Sequence, residues 1–228
     1  MPTKTLLQLR TETRQRADME SSRFISDSEL TGYINAAYSE LYDLLVGQFE
    51  DYYTISTQVT VGTGNSTISL PTDFYKLRGI DYQNSAPGDW VSVTRFAFPE
   101  RNARGRVASR LYFGVKRLAY SVVGGQIRLL PEDDASGVYR IWYIPRFDPL
   151  VSDSATVSNV LDFEDYIVVD AAIRCLVKEE SDPSALMMQK EALKARINAM
   201  ASQRDASGTG RIADVQTASG YLEDFFPY

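Results

Sequence analysis

The apolar repeat of this chain changes period twice, and that change restricts its fold more than any other feature. Leu30, Tyr33, Ile34, Ala37, Tyr38, Leu41, Leu44 and Leu45 follow the 3.6-residue helical spacing for about five turns. Ser26 and Glu29 stand before that run as an S-x-x-E capping box, with Ile25 and Leu30 placed to staple it. The periodicity makes its tyrosines core-packing residues. A shorter helix is predicted from about Lys4 to Ala17, with Leu6, Leu9, Thr13 and Ala17 on one face. Helical spacing returns from Phe163 to about Glu180, through Tyr166, Ile167, Val169, Ile173, Leu176 and Val177, with Asp162 as its expected cap. Asp182-Pro183 then reads as a cap followed by proline at the first helical position. The helix it opens runs to about Gln203 on a stripe of Leu186, Leu193, Ile197 and Met200.

Between these helices the period is two. Tyr53 to Val61 is β-branched, Gly62-Thr63-Gly64-Asn65 marks a turn, and Ser66 to Leu70 answers it, which predicts a hairpin closed by Pro71. Further strands are expected at Leu77–Tyr82, Trp90–Thr94, Leu118–Val123, Gln126–Leu130 and Val138–Ile144, with Gly124-Gly125 as a two-residue hairpin turn. Six or seven short antiparallel strands suffice for a sandwich or barrel. The expected class is therefore α+β. A bundle of about four helices (two N-terminal, two C-terminal) carries an inserted antiparallel β-sandwich or barrel. The expected boundaries are 1–50 with 160–204 for the helices, 51–159 for the β insert and 205–228 for an extended C-terminal arm.

Composition removes whole classes of chemistry. The 228 residues include no histidine and one cysteine, Cys175. That excludes histidine-based triads, histidine-ligated metals, an internal disulfide and zinc-type cysteine spacing. The acids Glu132-Asp133-Asp134 lie between Pro131 and Gly137, where turns favour them, and Asp162, Glu164 and Asp165 open a helix, where the dipole does. Neither group points to a glycosidase pair or a calcium loop. No phosphate-binding glycine motif occurs. No enzyme and no cofactor are expected. Asp170, within an apolar helical stretch, reads as a subunit-facing or capping partner. No apolar run approaches membrane-spanning length, and the first residues lack a signal-peptide core, so a soluble chain kept in cytosol-like conditions is expected.

Charge is unevenly distributed. Eight basic residues from Arg95 to Arg128 face the single acid Glu100, a local net of +7 in a chain of net −6, so the remainder carries −13. Arg101, Arg104, Arg106 and Arg110 fall in what reads as a loop. Three readings stand for it: contact with the acidic part of a neighbouring copy, contact with DNA phosphates, or plain solvation. The arm carries a second candidate site. Ala206-Ser207-Gly208-Thr209-Gly210 forms a linker, and Tyr221, Leu222, Phe225, Phe226 and Tyr228 crowd five large apolar side chains into eight positions. Such a cluster needs burial, and docking onto a partner is favoured over folding back on its own domain.

The order of segments resembles the head-to-tail adaptor proteins of tailed bacteriophages. The resemblance rests on Ser26-Asp27-Ser28-Glu29-Leu30 with Tyr33 to Tyr42, on the "LP-x-DF" turn Leu70-Pro71-Thr72-Asp73-Phe74, and on Leu130-Pro131 with Tyr139 to Pro145. Asp165 to Ala172 with Lys178 to Pro183 completes it, so it spans about Ser26 to Gln203. It implies a ring of subunits, usually dodecameric, docked beneath the portal protein at the neck of the virion after synthesis in the host cytoplasm. The helices would surround a channel for passing genomic DNA, bound without sequence preference. The β domain would meet a tail, nozzle or stopper protein, and the arm would grip the portal or an adjacent subunit. A tail-tube or stopper (gatekeeper) ring one layer lower shares the layout. A free DNA-binding module fits the acidic total less well.

Overall fold

Capping opens the first two helices, and the computed structural model shows both caps. It describes residues 4–20, 24–84, 86–106, 117–160 and 162–201. Helix α1 (Leu6–Arg16) begins with a complete capping box: Thr5 Oγ1 accepts from Gln8 N, and Gln8 Oε1 takes the Thr5 N–H at 2.8 Å. Leu6, Leu9, Thr13 and Ala17 are all buried, as their spacing requires. Helix α2 (Asp27–Gln48) is capped by Ser26, and Ile25 and Leu30 are both buried as a staple should be. The expected return contact from Glu29 to the cap is absent. Its carboxylate instead accepts from Lys178 Nζ at 2.6 Å and Tyr33 Oη at 2.9 Å, because a charge-assisted bond outcompetes a backbone amide.

The β region contains β1 (Ile55–Val61), β2 (Thr67–Ser69), β3 (Phe74–Gln83), β4 (Trp90–Ser92) and β5 (Thr94–Arg95). A short helix α3 (Arg101–Arg106) precedes β6 (Ala119–Val123), β7 (Gln126–Leu130) and β8 (Gly137–Pro145). These strands form two four-stranded sheets, ordered β1-β8-β3-β4 and β2-β7-β6-β5. The expected β1–β2 hairpin does not exist. β1 pairs along its whole length with β8, Ile55 opposite Tyr143 through Val61 opposite Gly137, while the three residues of β2 pair with β7 in the other sheet. A nine-residue partner gives β1 seven paired positions where β2 could give three. The Gly62–Asn65 turn thus carries the chain between sheets, and Val61 and Ile68 both enter one shared apolar cluster. That cluster takes Ile127 and Leu129 from one sheet and Ile80, Tyr139 and Ile141 from the other. The β6–β7 hairpin forms as expected, with φ of 60° and 78° at Gly124 and Gly125, the sign a type I′ turn needs at both positions. β5 departs from the antiparallel expectation by pairing in parallel with β6.

Helix α4 (Glu164–Lys178) is the centre of the helical core. Every residue from Tyr166 to Ile173 is buried, as in a helix surrounded by neighbours. Asp162 does not cap it. Its φ of 65° is left-handed, whereas a capping residue needs extended backbone, and Phe163 occupies the cap position with no side-chain bond. Asp182 does cap α5 (Ser184–Ala201), accepting from Ser184 N at 2.9 Å, while Pro183 O takes the Met187 N–H. Of the expected α5 stripe, Ile197 is buried and Leu186 and Leu193 pack against the core, but Met200 is 50% exposed. Polar bonds supply the rest of the attachment. Lys190 Nζ reaches Asp170 at 2.8 Å and Glu40 at 2.9 Å, Arg174 Nε meets Asp170 at 2.9 Å, and Tyr166 Oη donates to Glu40 at 2.7 Å. Asp170, 3% exposed, therefore faces inward and ties α4 to α5; it is neither a cap nor turned to another subunit.

Two outcomes follow from this network. Asp170→Ala leaves Lys190 and Arg174 without their buried partner and should cost about 3 kcal/mol in a urea unfolding curve. Burial works against the Glu40 carboxylate, yet bonds from Tyr166, Lys190 and Arg174 prevail and hold it below its ordinary range. Its stabilisation is complete above the unfolded value near ~4.3 and is lost as pH falls through the lower folded one. Glu40→Gln should lower stability at neutral pH and flatten the acid limb of the stability–pH profile below about pH 5.

Candidate functional site

The arginine-rich segment is helical from Arg101 to Arg106, where the sequence reads as loop. A 3₁₀ turn at Phe98–Glu100 leads into α3, whose Gly105 lies close enough to β7 that an added Cβ would stand 3.9 Å from Leu130 Cδ2. Local partners explain why this short helix forms despite its charge. The Arg101 guanidinium stacks 4.4 Å from the Phe98 ring centroid and donates to Phe98 O at 3.1 Å, and Arg104 Nε faces Glu100 at 3.5 Å. Arg106 ends α3, and Arg110 lies outside the described residues, as does the whole arm with Tyr221, Leu222, Phe225, Phe226 and Tyr228.

The fold brings Arg101 and Arg128 to one cavity of about 440 Å³, between α3, β7 and the turn at Glu132–Asp134. Glu132 and Asp133 line it too, and Arg128 Nη2 pairs with Glu132 at 2.5 Å. The acids that sequence reasoning assigned to an ordinary turn thus sit against the basic segment. The signal was present in the four-residue spacing of Arg128 and Glu132, but that spacing becomes a contact only where the strand bends into a turn. A surface of mixed sign suits a polar protein contact better than a bare phosphate backbone.

A second constellation joins the β region to the helices. Tyr42 Oη donates to Pro145 O at 2.6 Å, Tyr38 Oη to Ser158 O at 2.8 Å and Tyr53 Oη to Asn159 O at 2.8 Å. Burial pushes the Tyr42 hydroxyl up to about 12, so it remains a donor throughout the neutral range. Tyr38 packs in the core as its periodicity implies. Tyr42, outside that stripe, and Tyr53, expected to open a strand but placed in a 3₁₀ turn, are buried as well. The hydroxyl bonds of all three to the chain leaving the β region depend on tertiary placement alone. Across the same junction Lys76 and Arg78 pair with Glu50, Arg78 reaches Asp51 at 2.6 Å, and Tyr75 Oη donates to Asp43 at 3.0 Å. The "LP-x-DF" turn takes part: Arg146 N donates to Asp73 O at 2.7 Å, and Tyr143 Oη to Asp73 Oδ1 at 3.0 Å. On the outer face of the β8–β3–β4 sheet the Arg140 guanidinium lies 4.0 Å from the Trp90 ring and 5.5 Å from Trp142, a pairing that only the strand register creates.

Among the described residues no group of acids and cysteine is placed to hold a metal ion, and no helix is long and apolar enough to cross a membrane. The family model described as SU10 adaptor protein matches residues 4–213. The chain belongs to that family, in keeping with its resemblance to phage head-to-tail adaptors. Membership implies a structural component of a phage particle, with no catalytic role. No curated protein matches the chain.

If Glu132 and Asp133 mask the basic segment, Glu132→Gln with Asp133→Asn should raise retention on a heparin column. The melting temperature should change little, since exposed charges contribute within about 0.5 kcal/mol each. Unchanged retention would show that the masking is ineffective.

Proposed function

We propose that this chain is a head-to-tail adaptor that forms a ring beneath the portal of a tailed bacteriophage, joins capsid to tail and lines the DNA conduit. The observation that carries this reading is the family match across residues 4–213, which includes both helical ends and the whole β region. The helices act as a bundle domain, residues 1–50 and 160–204, and the two sheets as an inserted sandwich, residues 51–159. An apolar cluster drawn only from the β region supports a separate β unit, while Tyr53, Ile144, Leu150 and Val157 from its two ends join the helical cluster. The ring, a dodecamer in this reading, meets portal protein on one side and a tail, nozzle or stopper protein on the other. Genomic DNA passes through without sequence-specific contact.

Two surfaces carry assembly. The segment with Arg101, Arg104, Arg106 and Arg110 meets an adjacent subunit or a tail component, with DNA contact secondary. The mixed-sign cavity at Arg101 and Arg128 supports that order. The arm, with Tyr221, Leu222, Phe225, Phe226 and Tyr228, grips the portal or a neighbouring subunit. Its aromatic density supports this role, since buried aromatics anchor interfaces at up to about 2 kcal/mol each.

Electron microscopy of particles assembled with a labelled chain should place it at the neck; density elsewhere refutes the reading. Reversing Arg101, Arg104 and Arg106 to glutamate should block assembly into particles with the monomer's melting temperature nearly unchanged. Truncation after Gly210 should leave a folded chain that no longer binds portal in a pull-down. Retained portal binding would remove the arm from the interface.

A further inference from the structure

Among the described residues, two strands that lie beside one another where the chain changes sheets are paired over only part of one edge. β3 is ten residues long, but β4 pairs only with Asp81–Gln83, and the Val93 N–H adds one bond to Ile80 O. On that side Phe74 to Gly79 have no strand partner among the described residues. The reason is the switch at Val93, after which Thr94 and Arg95 leave β3 and pair with Ala119 and Tyr120 of β6. β5 has only those two residues, so among the described residues β6 has no strand partner on the same side from Ser121 onward. The two half-covered strands share a cavity of about 290 Å³, lined by Phe74, Tyr75 and Lys76 of β3, Arg95 of β5, and Tyr120 and Val122 of β6. Tyr75 is 47% and Val122 43% exposed, so apolar surface stands open to water there. Glu50 engages Lys76, whereas Arg95 makes no ion pair among the described residues.

A partly unpaired edge flanked by aromatic rings and a cation fits an extended segment whose faces each carry an acid between large apolar side chains. This chain carries one, Tyr221-Leu222-Glu223-Asp224-Phe225-Phe226. In a strand Tyr221, Glu223 and Phe225 share one side, and Leu222, Asp224 and Phe226 the other. Either face presents an acid between two large apolar groups, the complement of Arg95 among Tyr75, Tyr120 and Val122. The segment also starts close by. Asn198 near the end of α5 bonds to Gln48 at 3.2 Å, and two residues later Glu50 holds Lys76 at the cavity. The twenty residues from Ala201 to Tyr221 can span up to about 70 Å, ample to reach the groove from there. Tethering gives a local concentration on the order of millimolar, which favours the chain's own segment over a second copy's.

We propose that in the free chain residues 221–226 dock in this groove as an added strand on the open edge of β3, with their acids against Arg95. This rests on the reading of the arm as the portal- or neighbour-binding element and supplies its regulation: the apolar end is covered until a docking partner displaces it.

Hydrogen exchange on the full-length free chain tests the proposal. Amides of residues 221–226 should exchange about tenfold or more slowly than an unstructured peptide. Arg95→Glu should abolish that protection, and so should Val122→Lys, which fills the groove by different chemistry; β8 amides should be unaffected. Adding Glu223→Arg and Asp224→Arg to Arg95→Glu should restore it. An unprotected arm in the native chain overturns the proposal, as does protection indifferent to both groove variants or protection that grows with protein concentration. Portal binding by the Gly210 truncation is a separate measurement, so the arm's assembly role and its docking in the free chain fail independently.

Discussion

A helix buried on every side needs neighbours on every side, and α4 imposes that requirement on the rest of the chain. From Tyr166 to Ile173 it offers no face to solvent. α1 and α2 must therefore come back to it across the whole β region, and α5 must close what they leave open. Apolar contact alone would hold α5 weakly, since Ile197 is its one buried apolar residue among those described. The Asp170 carboxylate, taken inside α4 with Lys190 and Arg174 as partners, adds a directional contact. A buried charge of this kind is costly unless paired, so its partners have little freedom to leave.

The β region is attached to that core at few places, and those places are reinforced. Three tyrosine hydroxyls from the α2 end of the helical core hold carbonyls at Pro145, Ser158 and Asn159, where the chain returns from the sheets. The ion pairs of Glu50 and Asp51 with Lys76 and Arg78 tie the opposite crossing to β3. Hydrogen bonds to carbonyls are insensitive to salt, whereas exposed ion pairs are screened by it. The junction combines both, so the orientation of sheets to helices is held even where the charges are weakened.

Charge segregation along the chain is partly undone in space. The local excess of +7 from Arg95 to Arg128 is real in sequence. Yet Arg128 finds Glu132, Arg104 finds Glu100, and Arg101 turns onto Phe98. A contact surface in which cations such as these three already have local partners gains specificity from geometry more than from bulk charge.

The sequence by itself determined the four long helices, most of the strands and most of the faces they bury, though not α3 or the exposure of Met200. Those properties follow from local period, capping and turn chemistry, as at Ser26, Gly124-Gly125 and Asp182-Pro183. It also carried the family's order of segments. Tertiary structure alone decided that β1 pairs with β8 and not with the adjacent β2, because strand partners are chosen by available length and a shared core. It decided that Glu29 leaves its cap for Lys178, that Asp162 is left-handed, and that Asp170 faces α5. It also turned α3 into a helix through Phe98 and Glu100, and placed Glu132 and Asp133 against the arginines. Each of these depends on the energy of groups distant in the chain, and no local repeat encodes which distant group will be near.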